Sequence, residues 1–261
     1  MAELYTLITG ASSGIGLEFA KVFAENGKNL VLVARSEKKL TDLKNELEKK
    51  HSIQVHVITT DLSTETGATE LVSKIRSQNL EIENLINNAG VGLAGSFATQ
   101  TDWKKEKEML QVNVVALTEL CKAFLPEMVK RASGKILNVA STAAFQPGPL
   151  MAIYYATKAY VLHFSEAIAE ELAGTGVTVT ALCPGATESN FSNVAAMDSS
   201  RLFKDKKLPT SAEVARFGYD SLMSGKRVAI HGLKNYLLAQ TVRVSPRNVV
   251  SKISKRYQMS K

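Results

Sequence analysis

A glycine-rich turn between an apolar run and a helical one constrains this chain more than any other feature. Leu4 to Ile8 reads as a buried first strand, and Leu17, Phe19, Ala20, Val22 and Phe23 recur as the apolar face of a helix. Between them lies Thr9-Gly10-Ala11-Ser12-Ser13-Gly14-Ile15-Gly16. Glycines at such a junction permit positive φ and let a pyrophosphate approach the backbone, while the helix N-terminus supplies free N–H groups and a favourable dipole. The spacing Gly-x-x-x-Gly-x-Gly differs from the commoner dinucleotide fingerprint, and a glycine-rich loop can be simply a tight turn. Its place between this strand and this helix favours phosphate binding, with Gly10, Ser12, Ser13, Gly14, Ile15 and Gly16 as contacts.

Strand-like runs then alternate with helical stretches: Leu30 to Val33, Ile53 to Ile58, Leu85 to Asn87, Lys135 to Ala140, Val177 to Leu182 and Val228 to Ile230. Short apolar strands separated by amphipathic helices predict an α/β fold, a parallel sheet covered on both faces. With 261 residues, 45% hydrophobic, the chain can bury a sizeable core as one domain spanning 1–261. No repeat or Pro-rich linker interrupts it, and no apolar run approaches membrane-spanning length. A first strand beginning by Leu4 argues against a leader peptide. Cys121 and Cys183 lie far apart and the four histidines form no cluster, so no metal site is expected; a reduced, cytoplasmic location is the simple reading.

The chemistry centres on Tyr154-Tyr155-Ala156-Thr157-Lys158. A tyrosine four residues before a lysine shares its helix face. A phenol ordinarily titrates near pH 10, and a fixed ammonium beside it would draw that value down toward the range of general acid-base catalysis. The same spacing also arises as an ordinary surface pair. Tyr155, three residues from Lys158, and His163, flanked by Val161, Leu162 and Phe164, read as packing residues.

Taken in order, Thr9 to Gly16, Asp61-Leu62, Asn87-Asn88-Ala89-Gly90, Asn113, Ser141, Tyr154 with Lys158, and Pro184-Gly185 resemble the classical short-chain dehydrogenase/reductases over residues 1 to about 230. The runs Asn138 to Tyr160 and Ala181 to Gly185 are most similar to the DltE-like group. The resemblance implies a Rossmann-type doubly wound sheet of about seven strands with helices on both faces, and reversible hydride transfer between a nicotinamide and a carbonyl or alcohol. It assigns Tyr154 as proton donor, Ser141 as the donor orienting the carbonyl, Lys158 as ligand of the nicotinamide ribose, and Asn113 as holder of a relay water. Asn113 can equally be a buried polar residue bonded to a carbonyl. Asp61, with Leu62, is implied at the adenine, although it could also cap a helix beginning near Ser63. Asn88, Ala89 and Gly90 are implied against the cofactor, with Asn88 also steadying the sheet. After Pro184-Gly185 the family pattern is broken by Thr187 and Ser189, whose backbone and hydroxyl are the candidate contacts.

The second strand ends Ala34-Arg35-Ser36 where an acidic residue would mark an NAD site. Arg35 can grip a 2′-phosphate and Ser36 can add a hydrogen bond, which favours NADP(H) over NAD(H); alternatively Arg35 only stacks on the adenine. Leu93, Phe97, Phe145, Leu150, Met151, Phe191, Met197, Leu202 and Phe203 suggest an apolar pocket for a hydrophobic carbonyl or alcohol, and the region 190–225 resembles a lid. The net charge of +7 belongs to the C-terminal extension: residues 226–261 carry nine Lys/Arg and no Asp/Glu. Ser245-Pro246 reads as the start of a basic amphipathic helix. It can touch an anionic membrane weakly, or pack on the fold or a second subunit. Nucleic-acid binding is not expected. The resemblance also implies a homodimer or homotetramer joined through helices near 101–131 and 154–173.

Overall fold

A computed structural model describes residues 3–188 and 208–258. Seven strands form one parallel sheet: β1 (Leu4–Thr9), β2 (Asn29–Ala34), β3 (Val55–Thr59), β4 (Glu81–Asn87), β5 (Gly134–Val139), β6 (Val177–Cys183) and β7 (Val228–Ile230), in the order β3-β2-β1-β4-β5-β6-β7. Strand neighbours face opposite ways, and both faces are buried. Leu7, Val31, Leu85 and Ile136 pack beneath α3 (Gly67–Ser77), α5 (Leu117–Lys130) and α6 (Ala152–Glu171). Their successors Ile8, Leu32, Ile86 and Leu137 pack beneath α1 (Gly14–Glu25), α2 (Glu37–Lys50) and the helix Ser211–Met223. The result is the three-layer, doubly wound architecture expected from the alternating runs.

Two elements differ from the sequence reading. β4 begins at Glu81, four residues before the apolar run at Leu85. Its first residues hide as charges, because Glu81 meets Arg131 at 2.8 Å and Glu83 meets Lys28 at 2.9 Å at the rim of the sheet. The expected lid region extends to 225, yet Ser211–Met223 is a core helix: Val214, Ala215 and Leu222 are fully buried. A Cβ on Gly218 would lie 2.7 Å from the Phe19 ring, so this helix sits hard against α1.

The chain winds outward from β1 to β3, then returns to lay β4 on the other side of β1. The ends of β1 and β4 therefore diverge, opening a crevice at the carboxyl edge of the sheet. Asn88 ties the two together. Its backbone N–H donates to Thr9 Oγ1 at 3.1 Å and its side-chain Nδ2 donates to the Thr9 carbonyl at 2.9 Å; the Ala89 N–H shares Thr9 Oγ1 at 3.0 Å. Asn88→Ala is expected to leave this partly buried carbonyl short of a donor and cost about 1–3 kcal/mol. Urea unfolding followed by circular dichroism checks it, and an unchanged midpoint would show the tie to be dispensable.

Candidate active site

The predicted catalytic and cofactor-binding residues within the described segments converge on one cleft of about 1640 Å³ at the carboxyl edge of the sheet, apart from Gly16 and Asn113, which pack beside it. The β1–α1 turn forms its phosphate end. Gly10 and Gly14 have φ of +68° and +56°, values that disfavour any side chain. A Cβ on Gly16 would lie 2.3 Å from the Gly10 carbonyl oxygen and 2.4 Å from Asn88 Nδ2, so the turn closes only around glycine. Ser13 precedes the first residue of α1 without a side-chain cap, and the first turn carries no acidic residue, which leaves the helix N-terminus available to an anion. Ser12 and Ile15 complete this wall.

Next to it, Arg35 and Ser36 leave the end of β2, and Ser36 caps α2 with no side-chain capping bond. Lys39, one turn into α2, also faces the cleft and was missed because charged residues are common on a helix surface. Asp61 Oδ1 accepts from the Ser63 N–H at 3.0 Å and from its hydroxyl at 2.7 Å. Burial pushes the Asp61 carboxyl up, but the two Ser63 hydrogen bonds and the Arg35 charge outweigh it and leave the group below its ordinary value. It caps a turn, not a helix, since α3 starts only at Gly67. Leu62 is buried beside it.

The opposite end holds Ser141, Tyr154 and Lys158. Ser141 follows β5, and its Oγ accepts from the Ala143 N–H at 3.1 Å. Tyr154 and Lys158 occupy the first two turns of α6, both buried, with Lys158 Nζ 5.8 Å from the Tyr154 ring centre. The Tyr154 and Ser141 side chains are hydrogen-bonded. A buried polar chain fixes α6: Asn87 Nδ2 donates to Asn138 Oδ1 at 2.9 Å, and Asn138 Nδ2 to Ser165 Oγ at 2.9 Å.

The expected electrostatics need correction. Burial raises the Tyr154 phenol well above its ordinary 10; the Ser141 hydrogen bond opposes that shift without cancelling it. Lys158 does not offset that burial: its own value is pulled from 10.5 to about 8 by the same dryness, and its Nζ donates 2.8 Å to the Val139 carbonyl. Tyr154 is therefore a neutral phenol at pH 7, and Lys158 is a destabilised ammonium.

Asn113 lies in a π-helical segment, Gln111–Ala116, between α4 (Trp103–Leu110) and α5. Its Oδ1 accepts from the Val91 N–H at 3.0 Å, and its Nδ2 donates to the Val91 carbonyl at 2.9 Å and to Thr157 Oγ1 at 3.1 Å. The side chain is thus a buried strut between the β4 loop and α6. It still borders Lys158: a Cβ on Gly90 would sit 3.3 Å from Asn113 Oδ1 and 3.4 Å from Lys158 Nζ. Pro184 and Gly185 follow β6; the Pro184 carbonyl accepts from Thr142 N–H at 2.9 Å, and Thr187 Oγ1 donates to the Gly185 carbonyl at 3.0 Å. Ser189, Phe191, Met197, Leu202 and Phe203 lie outside the described residues.

Part of the pocket wall comes from elsewhere. Of the expected pocket residues Met151 lines the cleft, whereas Leu93 and Leu150 do not, Phe97 is exposed and Phe145 packs toward the core. Leu238, Val242, Val250 and Ile253 complete an apolar side, contributed by the helices Leu233–Val244 and Arg247–Gln258. The basic extension is therefore divided among β7 and these two helices. Ser245 closes the first of them, donating to the Thr241 carbonyl at 2.7 Å instead of opening the second. Gln258 Nε2 donates to the Tyr155 hydroxyl, which also bonds Ser254, and Tyr155 stacks edge-on to Tyr154 at 6.0 Å. Asn235 presses on Gly185, where a Cβ would meet its Nδ2 at 2.5 Å. No sequence signal near the motifs pointed to these distant residues. His163 is not packed; it is exposed beside Glu166.

The architecture and the chemistry at its switch point define an oxidoreductase on a dinucleotide-binding fold. Residues 5–199 match the short chain dehydrogenase family, and the chain belongs to it. Sulfoacetaldehyde reductase 2 of Chromohalobacter salexigens is 34% identical over 189 residues, 72% of this chain and 74% of that protein. Among solved structures, a short-chain dehydrogenase from Sphingobium yanoikuyae in complex with NADPH has a TM-score of 0.81 and 32% identity, covering 92% of this chain and 93% of its own. The bulky-bulky ketone specific alcohol dehydrogenase from Comamonas testosteroni has a TM-score of 0.77 and 30% identity, covering 92% of each chain. These matches reach the family and not the DltE-like group within it.

Burial of Lys158 has a measurable consequence for stability. Between its folded-state value of about 8 and the ordinary 10.5, the unfolded chain holds the proton that the folded chain has shed, so stability rises with pH across that window. The penalty is present in full below pH 8 and gone above 10.5. Lys158→Met is expected to remove this slope and to stabilise the fold at pH 7 by about 3 kcal/mol. Denaturant unfolding of both proteins across the window checks it, and parallel pH profiles would contradict the assignment.

Proposed function

We propose that the chain is an NADP(H)-dependent reductase or dehydrogenase acting on a hydrophobic carbonyl or secondary alcohol. The observation that carries the proposal is the buried Ser141–Tyr154 hydrogen bond beside Lys158, at the cleft end opposite the glycine cradle. The cradle fits a dinucleotide: Gly10 and Gly16 leave space no side chain can share, and Arg35, Ser36 and Lys39 suit a 2′-phosphate better than a bare ribose. The NADPH bound to the Sphingobium yanoikuyae relative supports the same choice. When bound, the nicotinamide supplies or accepts a hydride.

The side chains do the rest. A neutral Tyr154 holds the proton that a carbonyl oxygen needs as charge develops on it. The Ala143 N–H occupies one acceptor position of Ser141 Oγ, and its hydroxyl, directed at the Pro184 carbonyl at a long 3.5 Å, would turn to donate to the same oxygen. Lys158 presents its ammonium to the ribose end of the site and to the phenol once proton transfer makes it anionic. Because both Nδ2 protons of Asn113 are taken and its Oδ1 already accepts from Val91, we assign its part in a proton relay to the backbone of the π segment. Thr187 and the Pro184-Gly185 turn, with Ala89 and Gly90, would hold the nicotinamide end of the cofactor, and Asp61 with Leu62 would hold the adenine. Met151, Leu238, Val242, Val250 and Ile253 favour an apolar substrate. The two enzymes in the comparison act on dissimilar carbonyl compounds, so the pocket itself is the better guide.

NADPH oxidation with a graded panel of aldehydes and ketones tests the reading. Turnover is expected to fall by at least roughly 10³-fold in Tyr154→Phe while NADPH binding persists. Tight NADPH binding without turnover on any carbonyl would favour a cofactor-binding sensor instead. In Arg35→Ala, loss of one charge-assisted contact should weaken NADPH roughly 10- to 100-fold and leave NADH nearly unchanged. Equal effects on both cofactors would mean that Arg35 stacks on the adenine.

A further inference from the structure

The two C-terminal helices present an apolar surface that borders the cleft at Ile253 and otherwise lies outside it. Leu233, Leu237 and Val244 recur at i, i+4 and i+11 and so fall on one face of Leu233–Val244, opposite the buried Ala239; they are 75%, 55% and 85% exposed. Val249 and Ile253, 47% and 48% exposed, form a second stripe on Arg247–Gln258, next to the face that Ser254 and Gln258 bury against Tyr155. Residues 233–258 carry six Lys/Arg and no Asp/Glu. Elsewhere the chain is close to neutral: residues 1–225 hold 23 basic against 25 acidic side chains.

We infer that this helix pair docks on an anionic phospholipid surface, with the apolar stripes in the interface and the cations at the headgroups. Exposed apolar rows flanked only by cations have the composition of an interfacial helix. A second copy of the chain fits less well, because a twofold contact would set each cationic face against its own like charges. The helices that meet the lipid also turn Leu238 and Val242 into the cleft, so its apolar side opens next to the bilayer. Docking does not depend on the proposed chemistry and can be measured without it.

The test is co-sedimentation of the full chain with phosphatidylcholine vesicles, with and without phosphatidylserine. Pelleting is expected only with phosphatidylserine, and is expected to vanish at roughly 1 M salt, where charges are screened within about 3 Å. Lys255→Gln with Arg256→Gln should weaken binding about thirtyfold, at roughly tenfold or less per cation. Leu237→Ser with Val244→Ser should weaken it about tenfold. These side chains are exposed and do not line the cleft, so unfolding midpoints and NADPH turnover without vesicles should be unchanged. No pelleting on anionic vesicles, or pelleting indifferent to both double variants, would overturn the inference. So would a dimer in light scattering that the Leu237→Ser, Val244→Ser protein abolishes, since that would assign the face to a second copy.

Discussion

The contact between the β1–α1 turn and the end of β4 is the constraint on which the remaining geometry rests. Gly16 approaches Gly10 and Asn88 so closely that no Cβ fits, and Asn88 grips the Thr9 carbonyl across the switch point. That closeness fixes the path of Ala89-Gly90-Val91. Gly90 then faces Lys158, and Val91 shares two of the three side-chain bonds of Asn113. The glycine turn, the wall beside it and the strut behind Lys158 are thus positioned by one meeting of two strands. The carbonyl Asn88 holds could not be left dry inside the crevice without cost.

Burial does a second job at the far end of the cleft. It keeps Tyr154 protonated and weakens the hold of Lys158 on its proton. Burial therefore drives the two groups apart in proton affinity, the phenol upward and the ammonium downward from ordinary values that nearly coincide. One helix turn of spacing can show that the pair shares a face. It cannot show how dry that face is, because the dryness comes from Ala143, Met151 and Tyr155 packed around it.

What could be read from the chain follows from how local each signal is. The strands were legible because apolar runs of four to six residues recur between helical ones, and the Tyr154–Lys158 and Gly10–Gly16 sets because their function depends on short spacing. The start of β4 was hidden by Glu81 and Glu83, which satisfy their charges with Arg131 and Lys28 from distant segments. The substrate wall was hidden for the same reason. Leu238 and Ile253 lie 84 and 99 residues from Tyr154, and contacts of the same long range, Asn235 on Gly185 and Ser254 with Gln258 on Tyr155, bring them there. Arg35 was visible as a departure from an acidic pattern; Lys39 was one more cation on a helix rich in them.

The π segment at Gln111–Ala116 amounts to a one-residue surplus in an otherwise α-helical ladder. Shortening the segment by one residue would let the ladder run on as regular helix, with no net loss of backbone hydrogen bonds. It would also rotate everything upstream by about 100° relative to everything downstream. Met109 and Phe124, both now buried, could not then face the protein interior together, and Asn113 could not reach Val91 while Leu120 kept its place in the core. The helix therefore tolerates a change of side chain here far better than a change of length. Its irregularity is a matter of phase, and phase is what a single-residue deletion cannot preserve.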